Sequence, residues 1–336
     1  MADISRRTAI QALAAAGLTP VILRSMPSGP NAEERKAAAG LVLKEIRDGL
    51  WWLSDGAYNT MFLVSSQGVI AIDPLPTLGA RYLESVSKVT DRPITHVVYS
   101  HEHLDHIGAA NLFPKSAAIV AQSETAAILR QRQDPRRPPP TTTFGERFVL
   151  NVGEQTLHLE YKGVNHSPGN LFIYAPKQRV LMLVDVIYPG YVPYPGLGVA
   201  ADVPGYIDAH RQALSYDFTE FIGGHVDRIG SRADVERSLE FALDLKRASE
   251  EALAEKPFPA FLGEHPEQAT GSTWFAHDDY ETDRVDRCYK QLIPKWAPIL
   301  RGAERSLRSH CRTMIVALAI QMPPDRGQSV QKEGRS

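Results

Sequence analysis

A run of metal-binding residue types within six positions places the strongest constraint on this chain. The segment HEHLDH, from His101 to His106, begins one residue after 94–99 (ITHVVY), a β-branched run typical of a buried strand. Residues two apart in an extended segment point the same way, so we expect His101 and His103 to converge on one ion while Asp105 and His106 turn towards a second. Without an ion, three histidines and an aspartate packed side by side would be poorly satisfied. The sequence therefore predicts a metal centre at a strand end.

The donor types in this segment narrow the choice of metal. Imidazole nitrogen and carboxylate oxygen together suit zinc, and they also suit manganese or iron. The chain has only two cysteines, which are too few for a disulfide framework and are not spaced as a thiolate zinc site. We expect Cys311 to be a packed or spare thiol.

The order of predicted elements favours two sheets with helices outside. Strand-like runs occur at 50–53, 59–64, 68–73 and 94–99, with a helix at 78–89 between the last two, and a strand at 117–120 precedes a helix at 123–131. A proline-rich loop at 134–143 leads to a second group of strands at 147–150, 155–161, 171–174 and 179–184. Residues 231–255 and 278–321 have helical spacing. This pattern predicts two packed sheets of an α/β protein.

Three more candidate ligands follow downstream. His166 lies in NHSPGN, Asp185 ends the apolar run LMLVD, and His225 follows two glycines. Together with HEHLDH, these residues resemble the ligand pattern of the metallo-β-lactamase-fold hydrolases, and the resemblance covers about 50–230. It implies a four-layer αββα sandwich of two mixed β-sheets with outer helices, here followed by C-terminal helices.

The resemblance also implies a role for each ligand position. His101, His103 and His166 would hold one metal ion, and Asp105, His106 and His225 would hold the other. Asp185 would bridge them, because two divalent ions about 3.5 to 4 Å apart need an anion between them. Asp73, which ends the run GVIAID, would support the site from a neighbouring strand end.

Two departures from family patterns limit the expected function. Members that hydrolyse β-lactams with a metal-binding cysteine carry it where this chain has Asp185, so that role is disfavoured. The diiron electron-transfer members have an acidic residue at the second ligand position, where this chain has His103. The remaining group is the hydrolases that act on esters, thioesters, lactones and related electrophiles.

The resemblance therefore leads us to expect a dinuclear zinc hydrolase, with manganese or iron also compatible. A hydroxide shared by two ions would attack an ester, a lactone or a similar electrophile, and Asp105 would orient it and relay its proton to the leaving group. Three alternatives stay open: a mononuclear iron enzyme that oxidises a sulfur compound, a hydrolytic dehalogenase, and a metal-binding accessory protein without turnover.

A segment rich in tyrosine, proline and glycine lies between Asp185 and His225. We expect Tyr188, Tyr191 and Tyr194 to line the substrate pocket and to favour a hydrophobic or aromatic small molecule, although a core plug is the alternative. Other aromatic residues that we expect near the same cleft are Trp51, Trp52, Tyr58 and Tyr206.

The N-terminal residues suggest an export signal, and the C-terminal residues suggest a disordered tail. Residues 1–30 contain Ser5-Arg6-Arg7 before an apolar stretch, which resembles a twin-arginine export signal; the alternative is a frayed helix of a cytosolic protein. We therefore expect a periplasmic or secreted protein, and otherwise a cytoplasmic one. The predicted domains are 40–255 for the metallo-β-lactamase-fold body, 256–321 for a C-terminal helical extension and 322–336 for a disordered tail.

Charge and hydropathy exclude two kinds of partner. The net charge is −2 and no basic run could follow a phosphate backbone, so we expect no nucleic-acid partner. No apolar run reaches the roughly 18 residues that span a bilayer, so we expect no membrane partner. We expect a small-molecule substrate. The helices after Asp278 fit either a homodimer surface or packing within the chain.

Overall fold

The computed structural model describes residues 40–269 and 271–322. The predicted export signal and nearly all of the predicted tail lie outside these residues. The described chain forms two β-sheets of seven and five strands. The seven-stranded sheet contains β1 (Val42–Arg47), β2 (Leu50–Ser54), β3 (Asn59–Ser65), β4 (Gly68–Ile72), β5 (Ile94–Val98), β6 (Ala118–Gln122) and β7 (Thr142–Phe144), and the five-stranded sheet contains β8 (Arg147–Val152), β9 (Gln155–Glu160), β10 (Phe172–Ala175), β11 (Val180–Leu183) and β12 (Glu220–Ile222).

Both sheets are mixed. Strands β1 to β4 form an antiparallel meander, and β4, β5, β6 and β7 then run parallel to one another. The second sheet has the order β12-β11-β10-β9-β8 and is antiparallel except for the pair β11 and β12. Because parallel strands end at the same edge of a sheet, the loops that follow β4 and β5 are neighbours, and so are those that follow β11 and β12.

Helices cover the outer face of each sheet. They are α1 (Ala80–Ser87), α2 (Leu104–Ile107), α3 (Ser123–Arg132), α4 (Val203–Leu214), α5 (Arg232–Glu255), α6 (Phe258–Glu264), α7 (Pro266–Ala269), α8 (Thr273–Trp296) and α9 (Ala303–Ile320). In β11, Val180 and Met182 belong to the core between the sheets, whereas Leu181 and Leu183 belong to the core beneath the helices. This alternation is expected for a strand buried on both faces. The chain therefore has the predicted four-layer αββα arrangement with C-terminal helices.

The C-terminal helices share one core with the five-stranded sheet. Trp296 on α8 and Met314 on α9 lie in the same buried cluster as Leu183 and Phe221. The predicted helical region 278–321 is interrupted between α8 and α9 by the segment that contains Arg301. The domain boundary at 255/256 stays a prediction. No helix in the described ranges is long and apolar enough to cross a membrane.

The prediction for the cysteines was wrong. Cys288 on α8 and Cys311 on α9 form a disulfide, and the described residues contain no free cysteine. The two Cα atoms are 6.0 Å apart because α8 and α9 pack side by side in the buried core. A count of cysteines could not anticipate this pairing, since it depends on how two separate helices meet.

Several elements differ from the sequence expectation. The predicted loop at 134–143 runs into β7, which forms an edge of its sheet. Strand β1, strand β12 and helix α4 had no predicted counterpart. β7 and β12 are only three residues long, which is too short for a repeating hydrophobic pattern to identify.

Candidate metal centre

All seven predicted ligands meet at one edge of the two sheets. Asp73 follows β4, and the HEHLDH segment follows β5, whose end lies beside the end of β4. Asp185 and His225 follow the parallel pair β11 and β12, and His166 lies in the loop that enters β10. The topology therefore brings residues that are distant in sequence to the same place.

The ligand atoms form two groups that share one carboxylate. Within each group, all of these atoms lie within 4.8 Å of one another. The first group is His101, His103, His166 and Asp185, and the second is Asp105, His106, Asp185 and His225. This grouping is the one that the resemblance implied, with Asp185 common to both.

Asp185 contacts histidines of both groups through its two oxygens. Oδ2 lies 3.6 Å from Nε2 of His101, 3.3 Å from Nε2 of His166 and 3.1 Å from Nε2 of His106. Oδ1 lies 2.9 Å from Nε2 of His225. A carboxylate in this position can ligate two cations at once.

The surroundings of Nε2 of His101 show whether these residues fit a metal ion. Nδ1 of His101 lies 2.9 Å from the Ser100 hydroxyl, which itself donates to Oδ2 of Asp73. Nδ1 of His101 is therefore the donor of that pair, and Nε2 carries a lone pair. That Nε2 atom is buried without a hydrogen-bond partner and faces the other ligands. A lone pair surrounded by further N and O donors fits a divalent cation such as zinc.

The charges of three of the candidate ligands also suit metal binding. Burial, reinforced by the neighbouring histidines, holds the pKa of His101 well below its usual range, and burial lowers the pKa of His166. Burial by itself would raise the pKa of Asp185, but the charge and hydrogen bond of His106 hold it well below its usual range. These residues are thus in the neutral imidazole and carboxylate forms that metals require.

The other buried groups respond to the same charges. Burial opposes protonation of His106, yet Asp185 and the other carboxylates raise the pKa of His106 to about 9. Burial raises the pKa of Asp73 to about 6, against the opposing effects of His106 and Ser100. Asp73 accepts hydrogen bonds from both the backbone N–H and the hydroxyl of Ser100, and its supporting role at a metal centre stays a prediction.

Backbone strain is concentrated around this cluster. Asp73, Asp185 and Val226 all have positive φ, at 39°, 63° and 74°. Such angles are unfavourable for residues with a Cβ, above all for a β-branched one, and they are maintained only where the surroundings enforce them. Both aspartates turn sharply at strand ends, and Val226 directly follows a ligand.

Buried amides hold the ligand loops. Asn59 receives a hydrogen bond from the Trp52 indole and donates to the backbone oxygens of His225 and Val226. Asn170 links the loop of His166 to the strand that precedes Asp185, because its Nδ2 donates to the oxygen of Val184. The ligand geometry thus rests on a rigid network.

A cleft of about 760 Å³ opens onto the metal ligands. The ring of Tyr58 lies 4.4 Å from that of His225, and the ring of Tyr188 stacks on that of His225 at 5.6 Å. Burial, followed by the charge of Asp105, raises the pKa of Tyr58 to about 12, and burial raises that of Tyr188 well above its usual range. Both hydroxyls therefore stay protonated at neutral pH and can donate hydrogen bonds.

The predicted aromatic residues divide into two sets. Tyr58, Tyr188, Tyr191 and Tyr194 line the cleft, although their role in substrate binding stays a prediction. The expectation for the remaining three was wrong. Trp51 stacks on Phe62, Trp52 lies in the core between the sheets and Tyr206 is buried with its hydroxyl on Val186 O.

Sequence reasoning missed several residues that surround the site. Ser100 directly precedes the motif, and this position beside His101 could have identified it. No sequence feature pointed to Gly198 or Arg301. Gly198 O lies 2.6 Å from Nδ1 of His166. It belongs to a left-handed turn, since residues 196–199 all have positive φ. Arg301 lines the cleft and donates to the Tyr191 hydroxyl at 3.0 Å.

Comparison with known proteins identifies the family of this chain. Residues 53–248 match the metallo-beta-lactamase superfamily. The chain belongs to this superfamily. The α subunit of 2,4-dinitroanisole O-demethylase from Nocardioides sp. (strain JS1661) is 28% identical over 259 residues, which cover 73% of this chain and 77% of that protein. The β subunit of the same enzyme is 23% identical over 243 residues, covering 70% and 73%.

A solved structure supports the fold assignment. A metallo-beta-lactamase from Pontibacter korlensis aligns with a TM-score of 0.54 and 18% identity, over 61% of this chain and 99% of that one. At this identity the similarity concerns the fold alone. The superfamily fold and the His/Asp cluster together indicate divalent metal binding.

Proposed function

We propose that this protein is a metal-dependent hydrolase that cleaves small aromatic esters and activated aryl ethers. The observation that carries the proposal is the arrangement of seven ligand side chains in two groups that share Asp185, beside a tyrosine-lined cleft. The first group would hold one ion through His101, His103 and His166, and the second would hold another through Asp105, His106 and His225. Zinc is the proposed metal, and manganese and iron also accept mixed imidazole and carboxylate ligands. Divalent ions in such a centre would activate a water molecule and polarise the bond that it attacks.

The residues of the cleft provide proton transfer and orientation. Asp105 is partly exposed, and its Oδ2 receives a hydrogen bond from the Tyr58 hydroxyl at 3.5 Å. It can hold a proton from the attacking water and pass it to the leaving oxygen. The Tyr188 hydroxyl stays protonated and can donate to an oxygen of the substrate. The volume of the cleft suits one or two aromatic rings.

The named activity of a relative points to the substrate class. The Nocardioides relative is named for the O-demethylation of 2,4-dinitroanisole, an aryl ether activated by nitro groups. Hydrolysis of such an ether adds water, breaks a C–O bond and yields a phenol and methanol, with no oxidant or reductant. The same chemistry cleaves an aryl ester to a phenol and an acid. The walls formed by Tyr191 and Tyr194 favour aromatic rings of this kind.

The proposal is tested with purified protein loaded with zinc, and again after chelation. The substrates are 4-nitrophenyl acetate, dihydrocoumarin and 2,4-dinitroanisole, and the products are detected by absorbance. We expect turnover of at least one substrate, loss of turnover after chelation and recovery after zinc is restored. Turnover that survives complete removal of metal would rule out the proposal. Oxygen consumption with a thiol by iron-loaded protein, without hydrolysis, would favour the sulfur oxidation that the motif also allows.

Arg301 provides a test of the substrate preference. Its backbone is fixed between Gly190 and Val192 by two hydrogen bonds of 3.0 Å, and its exposed guanidinium faces the cleft. We expect Arg301→Gln to raise KM for 4-carboxyphenyl acetate by about 5- to 10-fold and to leave KM for phenyl acetate unchanged, because only the former carries an anion. Arg305→Gln, at an exposed position of α9, is the control. Equal changes for both substrates would contradict a selecting role.

The disulfide supports the proposed location in an oxidising compartment. Disulfides persist in the periplasm and outside the cell and are rare in the cytosol. The buried pair Cys288–Cys311 is therefore consistent with export directed by the segment that contains Arg6 and Arg7. Fractionation of cells that express the full chain tests this location, and a wholly cytosolic, fully reduced protein would contradict it.

A further inference from the structure

The histidines of the first ligand group present different nitrogens to the centre. His101 and His166 present Nε2, and their Nδ1 atoms contact Ser100 and Gly198 O at 2.9 and 2.6 Å. His103 is reversed. Its Nδ1 lies 2.9 Å from Nε2 of His166, so Nδ1 faces the centre and Nε2 points away. For Nδ1 to ligate a metal, Nε2 must carry the proton of the neutral ring.

The carboxylate of Glu102 faces this outer nitrogen. Oε1 of Glu102 lies 3.5 Å from Nε2 of His103. The Glu102 side chain is only 4% exposed, and its Oε2 has no hydrogen-bond partner. The guanidinium of Arg132 lies 3.9 Å from Oε1 but is half exposed, and the buried Arg137 binds the backbone oxygen of Glu102 instead. Arg137 thus fixes the backbone at Glu102 and leaves its carboxylate to other partners.

A buried carboxylate is costly unless it has a specific partner. Removing a charge from water destabilises the folded chain, and the half-exposed guanidinium of Arg132, 3.9 Å away, offsets only part of this cost. The imidazole of His103 lies beside Glu102. A metal ion bound at Nδ1 of this ring would make its Nε2–H a stronger hydrogen-bond donor. A hydrogen bond from this Nε2–H to the carboxylate would then offset the cost of burying Glu102.

We propose that Glu102 is a positioning residue of the metal centre. Its carboxylate accepts a hydrogen bond from Nε2–H of His103, which fixes the tautomer with the lone pair on Nδ1 and makes that nitrogen a stronger ligand for a divalent cation. Each histidine of the first group then has a fixed acceptor on its outer nitrogen: Ser100, Glu102 and Gly198 O. This inference rests on the proposed metal centre, but it does not depend on which reaction the centre catalyses.

Two substitutions separate this role from a structural one. Glu102→Gln keeps an acceptor and loses the charge, whereas Glu102→Leu loses both. We measure zinc affinity by competition with a chromogenic chelator, and the stability of the metal-free proteins by urea unfolding. Glu146→Gln, at an exposed turn, and Arg132→Gln, which removes the nearby cation, are the controls.

We expect graded losses of affinity without loss of metal-free stability. Zinc affinity should fall by about 10- to 100-fold in Glu102→Leu and less in Glu102→Gln, because a neutral acceptor is weaker than a charged one. Metal-free stability should be unchanged or higher, because the removed charge is buried and its neighbouring cation, Arg132, is half exposed. Both controls should stay within about 3-fold of the wild-type affinity.

The outcomes distinguish this inference from the proposed function. Zinc affinity within about 3-fold of wild type in both Glu102 variants would overturn the inference and leave the hydrolase proposal intact. A loss in Arg132→Gln equal to that in Glu102→Leu would also overturn it, because the ion pair would then be the important contact. Weaker zinc binding in the Glu102 variants of a protein that hydrolyses none of the substrates would support the inference while the hydrolase proposal fails. A wild-type protein that binds no zinc would overturn both.

Discussion

At the scale of single residues, the centre depends most on Asp185. It is the only described residue that belongs to both ligand groups, and its positive φ at the end of β11 shows that the backbone is held there at some cost. Outside the cluster, His101 and His166 contact Ser100 and Gly198 O through their Nδ1 atoms. A change at Asp185 should therefore affect both metal positions together.

We expect Asp185→Asn to lower metal content from two ions per chain to one or none. The amide keeps the shape of the carboxylate but loses the charge that offsets two cations, so kcat/KM should fall by at least about 100-fold. Metal analysis and kinetics check this, with Asp208→Asn on the exposed face of α4 as the control. Two tightly bound ions in Asp185→Asn would show that Asp185 does not bridge them.

At the scale of elements, the left-handed turn at 196–199 connects the tyrosine segment to the metal ligands. Gly198 has φ of 65°, and a Cβ there would lie 2.7 Å from Asp185 O and 3.1 Å from the Tyr188 hydroxyl. Gly198 O also faces Nδ1 of His166. Tyr188 of the cleft and the candidate ligand His166 thus both contact one turn, which only glycine allows at this position.

We expect Gly198→Ala to weaken zinc binding by about 10-fold, because the turn must move and the hydrogen bond to His166 must lengthen. Gly145→Ala is the matched control, since a Cβ at Gly145 would meet nothing within 4 Å. Chelator competition gives the affinities. Equal affinities in the two variants would mean that the carbonyl of Gly198 does not orient His166.

The helix pair α8 and α9 carries its own constraint, the disulfide between Cys288 and Cys311. The two cysteines are 23 residues apart, and closing a loop of this length stabilises a fold by about 3 kcal/mol. We expect the double variant Cys288→Ala/Cys311→Ala to lose about this much free energy of unfolding. Urea unfolding with and without reductant checks it: reductant should destabilise the wild type and leave the double variant unchanged. A wild type that reductant does not affect would contradict the prediction.

At the scale of the whole molecule, the sequence was sufficient where local patterns carry the information. HEHLDH is contiguous, and the runs before Asp73 and Asp185 are apolar strands that place a carboxylate at their ends, so the layers and this part of the cluster could be predicted. The resemblance to the family added His166, Asp185 and His225, and the structure brings all seven candidate ligands together. The burial of the Glu102 carboxylate and the contact between Gly198 O and His166 could not be predicted, because they depend on how segments distant in sequence pack together. Trp52 shows the same limit, since its place in a strand does not reveal which sheet face buries it.

Two buried histidines outside the metal centre make the stability of the molecule dependent on pH. His210 contacts Tyr206 O and the Ser238 hydroxyl, with the charge of Arg211 nearby, and His310 accepts from the backbone N–H of Leu197. Burial lowers the pKa of each to about 4, against the opposing effect of a neighbouring backbone oxygen, that of Tyr206 for His210 and that of Pro193 for His310. In the unfolded chain both histidines return to a pKa of about 6.5.

The sign of the effect follows from proton binding. Between pH 6.5 and 4 the unfolded chain binds protons that the folded chain does not, so the free energy of unfolding decreases as the pH falls through this range. Each histidine should remove about 2 kcal/mol at pH 5 relative to pH 7.5. Urea unfolding of metal-free protein at the two pH values checks this.

In His210→Gln/His310→Gln the difference in the free energy of unfolding between pH 7.5 and pH 5 should shrink by about 4 kcal/mol, whereas the exposed control His277→Gln should match the wild type. An equal pH dependence in all three proteins would mean that neither buried histidine resists protonation in the folded state.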